Sequence, residues 1–285
     1  MFASESFQTP RELAAFLRAF AKMAQASKAP PDEKHPKGYP QKDGWGMSLC
    51  FRVGPDEAVA LIESLRIILM HEKLHLELHA LAPGLWLFLS SLLPIWTQAD
   101  QIARKLELIN FSSAKMLAHA RAADKPSEIG KIQLNMPFKM DANGETLSFA
   151  FNGRIKVHLP KLLLKKLGLE DLMLENALNG AQRLAAITSA LIEKNMAQFP
   201  KYTLQELVTT SLSQLENVFH ERVGEVKIVT ITGCNIIIQG SDFTYSREFA
   251  RDGAENTYYS LWTGPNGIVA SAPVGITDTS PTTPI

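Results

Sequence analysis

The sequence predicts an α+β fold, with two helical blocks and antiparallel β-hairpins in the middle of the chain and at its C-terminus. Three observations predict it. Apolar residues recur at helical spacing after Thr9, after Pro55 and from Pro160 to about His220. Polar–apolar alternation replaces that spacing over 132–159 and 226–239. Turn residues punctuate the alternating runs, notably Asp141-Ala142-Asn143-Gly144, Asn152-Gly153 and Gly233-Cys234-Asn235.

Thr9-Pro10-Arg11-Glu12 is a helix start: Thr9 is the N-cap, Pro10 sits at the first helical position and Glu12 completes a capping box. Leu13, Phe16, Leu17, Phe20 and Ala24 then form one apolar face. Residues 27–46 are polar and rich in proline and read as a long loop. Met47 to Val53 alternates as a short strand, and a helix follows to about Met70 with Val59, Ile62, Leu65 and Leu69 inward. Thr97 and Asp100 open a helix that buries Ile102, Leu106 and Ile109, and a second short helix is expected over Ser112–Ala123. In the second half, Gly168 is a helix C-cap and Thr203 with Glu206 a second capping box. Tyr258–Thr263 and Ile268–Ser271 are expected to form a last hairpin around Gly264-Pro265-Asn266-Gly267. Residues 1–275 read as a single interleaved domain, the alternative being a split near Lys125; residues 276–285 form an extended Thr/Pro tail.

Composition narrows the function. The chain of 285 residues carries 29 basic and 29 acidic side chains, and its apolar fraction of 46% is that of a globular protein. Zero net charge argues against strong nucleic-acid binding, which draws on a surplus of cations. The balance is local rather than uniform, because Lys and Arg outnumber Asp and Glu over residues 101–222. With only Cys50 and Cys234 and no secretory pattern at the N-terminus, a cytoplasmic location is expected. The charge-free stretch Ala80–Ala99 is interrupted by Pro83, Gly84 and Pro94 and reads as buried core rather than a membrane span.

One segment looks like chemistry. His71-Glu72-Lys73-Leu74-His75 fits the HExxH pattern, and over these five residues the chain resembles the zincin metallohydrolases. That resemblance implies a helix on which His71 and His75 bind zinc while Glu72 polarises the metal-bound water. The residues themselves oppose it. From Lys73 to His79 polar and apolar residues alternate strictly, as in a half-buried strand. Four residues of extended chain, at ~3.3 Å each, would separate His71 from His75 by roughly 13 Å. Lys73 adds a cation, no third ligand is identifiable, and Leu78 and Leu81 stand where the metzincin pattern requires Gly and His. The strand reading makes His75, Glu77 and His79 ordinary polar positions on a solvent-facing strand, the alternative being a histidine row that serves a pH-sensitive contact or a non-catalytic metal. Elsewhere, Cys234 on a tight turn is a conceivable nucleophile without an assignable base, Lys161, Lys165 and Lys166 form a basic face, and Tyr245, Tyr258, Tyr259 and Trp262 could stack on a ligand.

The expectation is therefore a non-enzymatic, soluble subunit or adaptor that binds other protein subunits in a larger assembly, with no cofactor. Its proline-rich loop and its tail are the segments suited to order on a partner. The alternatives are a zinc-dependent metallohydrolase using His71, Glu72 and His75, and a nucleic-acid-associated complex subunit.

Overall fold

The computed structural model describes residues 2–26, 28–29, 39–69, 74–81, 84–121, 126–142, 144–174, 178–249, 261–264, 268–270 and 283–284. Two compact units emerge, one of residues 1–137 and 261–285 and the other of residues 138–260. The first begins with β1 (Phe2–Phe7), α1 (Pro10–Ala26), the two-residue strands β2 (Lys28–Ala29) and β3 (Tyr39–Pro40), and β4 (Trp45–Arg52). It continues with α2 (Pro55–Leu69), β5 (His75–Leu81), β6 (Gly84–Ser91), α3 (Ala99–Leu106) and β7 (Ser113–Ala120). The second unit holds β8 (Phe138–Ala142), β9 (Glu145–Val157), α4 (Pro160–Leu167), α5 (Gly180–Gln198), α6 (Leu204–Phe219), β10 (Arg222–Val223), β11 (Val226–Lys227), β12 (Val229–Gln239) and β13 (Thr244–Glu248). The chain then returns to the first unit with β14 (Trp262–Gly264), β15 (Ile268–Ala270) and β16 (Thr283–Pro284). This is an α+β fold whose sheets are antiparallel throughout.

The first unit is built on an eight-stranded sheet in the order β16-β14-β15-β1-β7-β4-β6-β5. Trp45, Met47, Leu49 and Phe51 of β4 alternate onto one face, joined by Leu85, Leu87 and Leu89 of β6 and by Ala114, Met116, Ala118 and Ala120 of β7. Against this face pack Leu13, Phe16, Leu17 and Phe20 of α1 and Ile102 and Leu106 of α3. The α1 start is the anticipated capping box: Glu12 donates its backbone N–H to Thr9 Oγ1 at 3.2 Å, and Thr9 donates its own to Glu12 Oε2 at 3.1 Å. Inside the core, the Trp45 indole N–H finds Gln98 Oε1 at 3.1 Å, so neither buried polar group is left unmade.

The charge-free stretch accordingly supplies a core strand, β6. Among the described residues, no helix is long and apolar enough to cross a membrane. Two expectations for this unit are corrected. Residues 113–120 form a strand rather than a helix, because Ala114, Met116, Ala118 and Ala120 bury one face at period two while Leu117 is buried on the other. Apolar residues on both faces disguised that alternation. On α2 the buried stripe runs through Leu61, Leu65 and Leu69, and Val59 is left exposed.

In the second unit a four-stranded sheet, β13-β12-β9-β8, carries the helices. The two turn signals Asn152-Gly153 and Gly233-Cys234-Asn235 both fall inside continuous strands, against expectation. β9 and β12 pair along nearly their whole lengths, Val157 with Val229 and Ser148 with Gln239, and the register shifts between Ile231 and Gly233. At this bulge the backbones approach so closely that a Cβ on Gly153 would lie 2.0 Å from the Gly233 carbonyl oxygen. Glycine is required by proximity, not by a turn. The adjoining connection that does form a hairpin joins β8 to β9, where Ala142 pairs with Glu145.

Helices α5 and α6 are both opened by capping boxes, Asn179 with Gln182 and Thr203 with Glu206. Between them the buried Asn195 amide donates to Ser211 Oγ at 2.9 Å and Gln214 Oε1 at 3.0 Å, and accepts from Gln214 Nε2 at 3.3 Å. On β13, Arg247 donates through Nε to Glu216 Oε2 of α6 at 2.8 Å, which ties sheet to helix. Gly168 ends α4 in the left-handed conformation, as its sequence position predicts.

Gly153→Ala is expected to cost at least about 1–3 kcal/mol, the usual penalty for forcing atoms into filled space. Gly180→Ala, at a helix start where an added Cβ meets nothing within 4 Å, is expected to be neutral or stabilising by up to about 1 kcal/mol. Chemical denaturation of the two variants beside the wild type measures both.

Candidate functional site

The two faces of the eight-stranded sheet divide structure from chemistry. On strands β4 to β7 the face toward the helices is almost wholly apolar. The opposite face carries Ser48 and Cys50 of β4, His75, Glu77 and His79 of β5, Trp86 and Phe88 of β6, and Lys115, Leu117 and His119 of β7. Register places them in cross-strand rows: His79, Trp86, Cys50 and Lys115 in one, Glu77, Phe88, Ser48 and Leu117 in the next, and His75, Ser90, Gly46 and His119 in a third. Trp86 and Phe88 stack with ring centroids 5.9 Å apart, and His79 meets Phe88 edge to face at 6.0 Å.

β5 is the last strand of the sheet order, so its residues sit at an edge. The alternation read from Lys73 to His79 appears here as a strand beginning at His75, with Leu76 and Leu78 toward the helix-side core. On the other face Glu77 gathers both neighbouring imidazoles. Its Oε1 accepts from His75 Nε2 at 2.9 Å, and its Oε2 lies 3.5 Å from His79 Nε2, a contact too loose for a well-formed hydrogen bond. The bond from His75, reinforced by His79, holds the Glu77 carboxyl below the usual carboxylate range against the opposing effect of partial burial. Glu77 is thus an ionised acceptor at neutral pH. His71 and Glu72 lie outside the described residues. Among the described residues, no group of three His, Cys, Asp or Glu side chains is placed to hold a metal ion.

His119 and Arg121 were not singled out by sequence reasoning, because a helix was expected there. Both are buried. The Arg121 guanidinium donates to the carbonyls of Glu128 at 2.9 Å and Lys131 at 3.4 Å, which pins the segment after β7. Further along that segment the Met136 carbonyl comes so near β4 that a Cβ on Gly46 would stand 2.2 Å from it. Burial, with the positive charge of Arg121 nearby, drives the His119 imidazole well below its ordinary value, so it is neutral in the folded protein.

The remaining residues marked in the sequence are dispersed. Cys234 is fully buried within β12, and burial pushes its thiol up, which makes it a poor nucleophile. Lys166 pairs with Glu221 at 2.8 Å. Tyr245 lies on β13 and accepts from Arg247 at 3.3 Å. Trp262 belongs to β14, paired with Ala270 in the expected hairpin, while Tyr258 and Tyr259 lie outside the described residues. Of the tail, Thr283 and Pro284 pair with Thr263 and Trp262. Compared with known proteins, the chain matches no family model and no curated protein.

The neutral burial of His119 has a pH consequence. The unfolded chain takes up a proton near pH 6.5, whereas the folded protein resists protonation until well below it. The unfolded state then binds more protons, so stability falls as pH drops through and below about 6.5. His119→Met, which removes the titration and keeps an apolar volume, is expected to show a shallower loss between pH 7.5 and 5.5 in chemical denaturation. An identical slope in variant and wild type would exclude His119 as the source.

Proposed function

We propose that this protein is a non-enzymatic subunit acting through protein–protein contacts in a larger assembly. The observation that supports this reading is a set of exposed aliphatic side chains on and near α2, beside an open groove. Ile67 and Val59 are 68% and 60% exposed on that helix, and Leu108, beyond α3, is 73% exposed. Between α2 and the segment leading into β7 lies an open groove of about 510 Å³, lined by Leu61, Leu108, Ile109 and Phe111 together with the polar Glu57, Ser64, Asn110 and Ser112. A groove with an exposed aliphatic side chain such as Leu108 on its wall is the kind of feature that interaction surfaces use. Cys234 is buried with its thiol pushed up, His119 is buried and neutral, and Glu77 accepts from His75, so none of these three is a free nucleophile or base in this reading.

The test is affinity purification from the native host with wild type and with a double variant, Ile67→Glu/Leu108→Glu, whose melting temperature is checked first. A partner present in stoichiometric amount with the wild type, and at least about tenfold depleted with the variant, is the expected result; tenfold corresponds to about 1.4 kcal/mol. Metal content of chelator-free protein separates the competing reading. Stoichiometric zinc lost in His71→Ala and His75→Ala, with no partner retained, would overturn the proposal in favour of a metallohydrolase.

A further inference from the structure

β5 closes one end of the eight-stranded sheet, and among the described residues β6 is the only strand paired with it. Edge strands of soluble proteins are usually guarded by lysine, proline, a bulge or brevity. β5 carries one charged side chain, Glu77, that could serve as such a guard, and otherwise has none of these. Over His75–Leu81 it is seven residues long, contains neither Lys nor Pro, and keeps an unbroken register with β6 from His75–Ser90 to Leu81–Gly84. Two of its leucines are incompletely covered. Leu76 and Leu78 pack against the helix-side cluster yet are only partly buried, as residues at the rim of a core are when one more strand would cover them.

We propose that this edge pairs antiparallel with the same edge of a second copy of the chain, joining two sheets across a two-fold axis at Leu78. The occupant is a second copy because the strand is complementary to itself. With Leu78 opposite Leu78 of the partner copy, Glu77 of each copy faces His79 of the other, Leu76 is opposite Ala80, and His75 is opposite Leu81. Both Glu–His pairs are directly opposed, where oppositely charged or hydrogen-bonding side chains stabilise a ladder. An imidazole N–H can donate to the facing carboxylate whether or not the ring is protonated. The helix-side leucines of both copies remain on one side of the joined sheet, because such an axis, perpendicular to the sheet, preserves its faces. A register centred on Glu77 would instead oppose the two carboxylates and is disfavoured. No residue of β5 lines the α2 groove, so the two readings are tested by different substitutions.

The experiment is sedimentation equilibrium on the full chain, whose monomer mass is 31.5 kDa. Wild type is expected to sediment as a dimer. Glu77→Lys, at a half-exposed position, sets a lysine against each His79 and is expected to weaken the dimer about tenfold or more. The double variant Glu77→Lys/His79→Glu re-creates the opposed pair with its charges exchanged and is expected to restore the dimer. Circular dichroism melts confirm that each variant is folded. If a variant fails to fold, Leu78→Cys replaces it: across the axis the two thiols are placed to form an intermolecular disulfide under mild oxidation. A wild type that stays monomeric at every accessible concentration would overturn the proposal. So would a dimer indifferent to Glu77→Lys, or one dissolved by Ile67→Glu/Leu108→Glu alone, which would move the contact to α2. Failure of the double variant to regain the dimer, or absence of a cross-link in Leu78→Cys, would overturn the Leu78 register.

Discussion

Strand β4 is the element on which the first unit depends. It lies between β6 and β7, pairs with both along its full length, and buries Trp45, Met47, Leu49 and Phe51 beneath α1 and α3. Burying one such side chain stabilises a protein by about 1.5–3 kcal/mol, so four in a row on a central strand dominate the local energetics. A one-residue slip of β4 would turn those four side chains to the opposite face and bring Ser48 and Cys50 under the helices. The buried bond from Trp45 to Gln98 opposes the same slip, because it would leave two polar groups unmatched. Fixing β4 fixes the cross-strand rows, and with them the placing of His75, Glu77, His79 and His119.

The second unit solves its packing differently. Its two long strands, β9 and β12, run past each other with a bulge where Gly153 meets Gly233, and polar groups add to buried apolar residues such as Leu191, Leu215 and Ile236 in tying helices to sheet and to each other. The Asn195–Ser211–Gln214 cluster and the Arg247–Glu216 pair each need one geometry to be satisfied. Buried polar groups matched in this way penalise alternative alignments of α5 against α6, since a sliding helix would strand an amide without partners.

Much of the architecture was legible in the sequence. The helix starts at Thr9 and Thr203, the C-cap at Gly168, the burial of the charge-free stretch after Gly84 and the hairpin joining Trp262–Gly264 to Ile268–Ala270 all follow from local chemistry that tertiary context did not overrule. What escaped was long-range. Residues 113–120 have helix-forming composition, and only neighbours on both sides, β1 and β4, make them a strand. Asn152-Gly153 is a strong hairpin signal in isolation, but its glycine serves a close backbone approach to a strand about eighty residues away. The same limit hid His119 and Arg121, whose burial depends on the segment that crosses β4 at Gly46. In contrast, the His75–Glu77–His79 row was visible as simple alternation, although nothing local could place it at the margin of a sheet.

The insertion of residues 138–260 between Pro137 and Leu261 carries a kinetic corollary. Phe2 and Ala3 pair with Ala270 and Val269, partners more than 260 positions further along the chain. As the polypeptide emerges from a ribosome, β1 can join β7 early, but its other side waits until the whole inserted unit has been synthesised. Contacts of such high order form slowly, and strand margins left open meanwhile invite wrong partners. Early folding of the inserted unit would lower the chain entropy still to be lost in that closure.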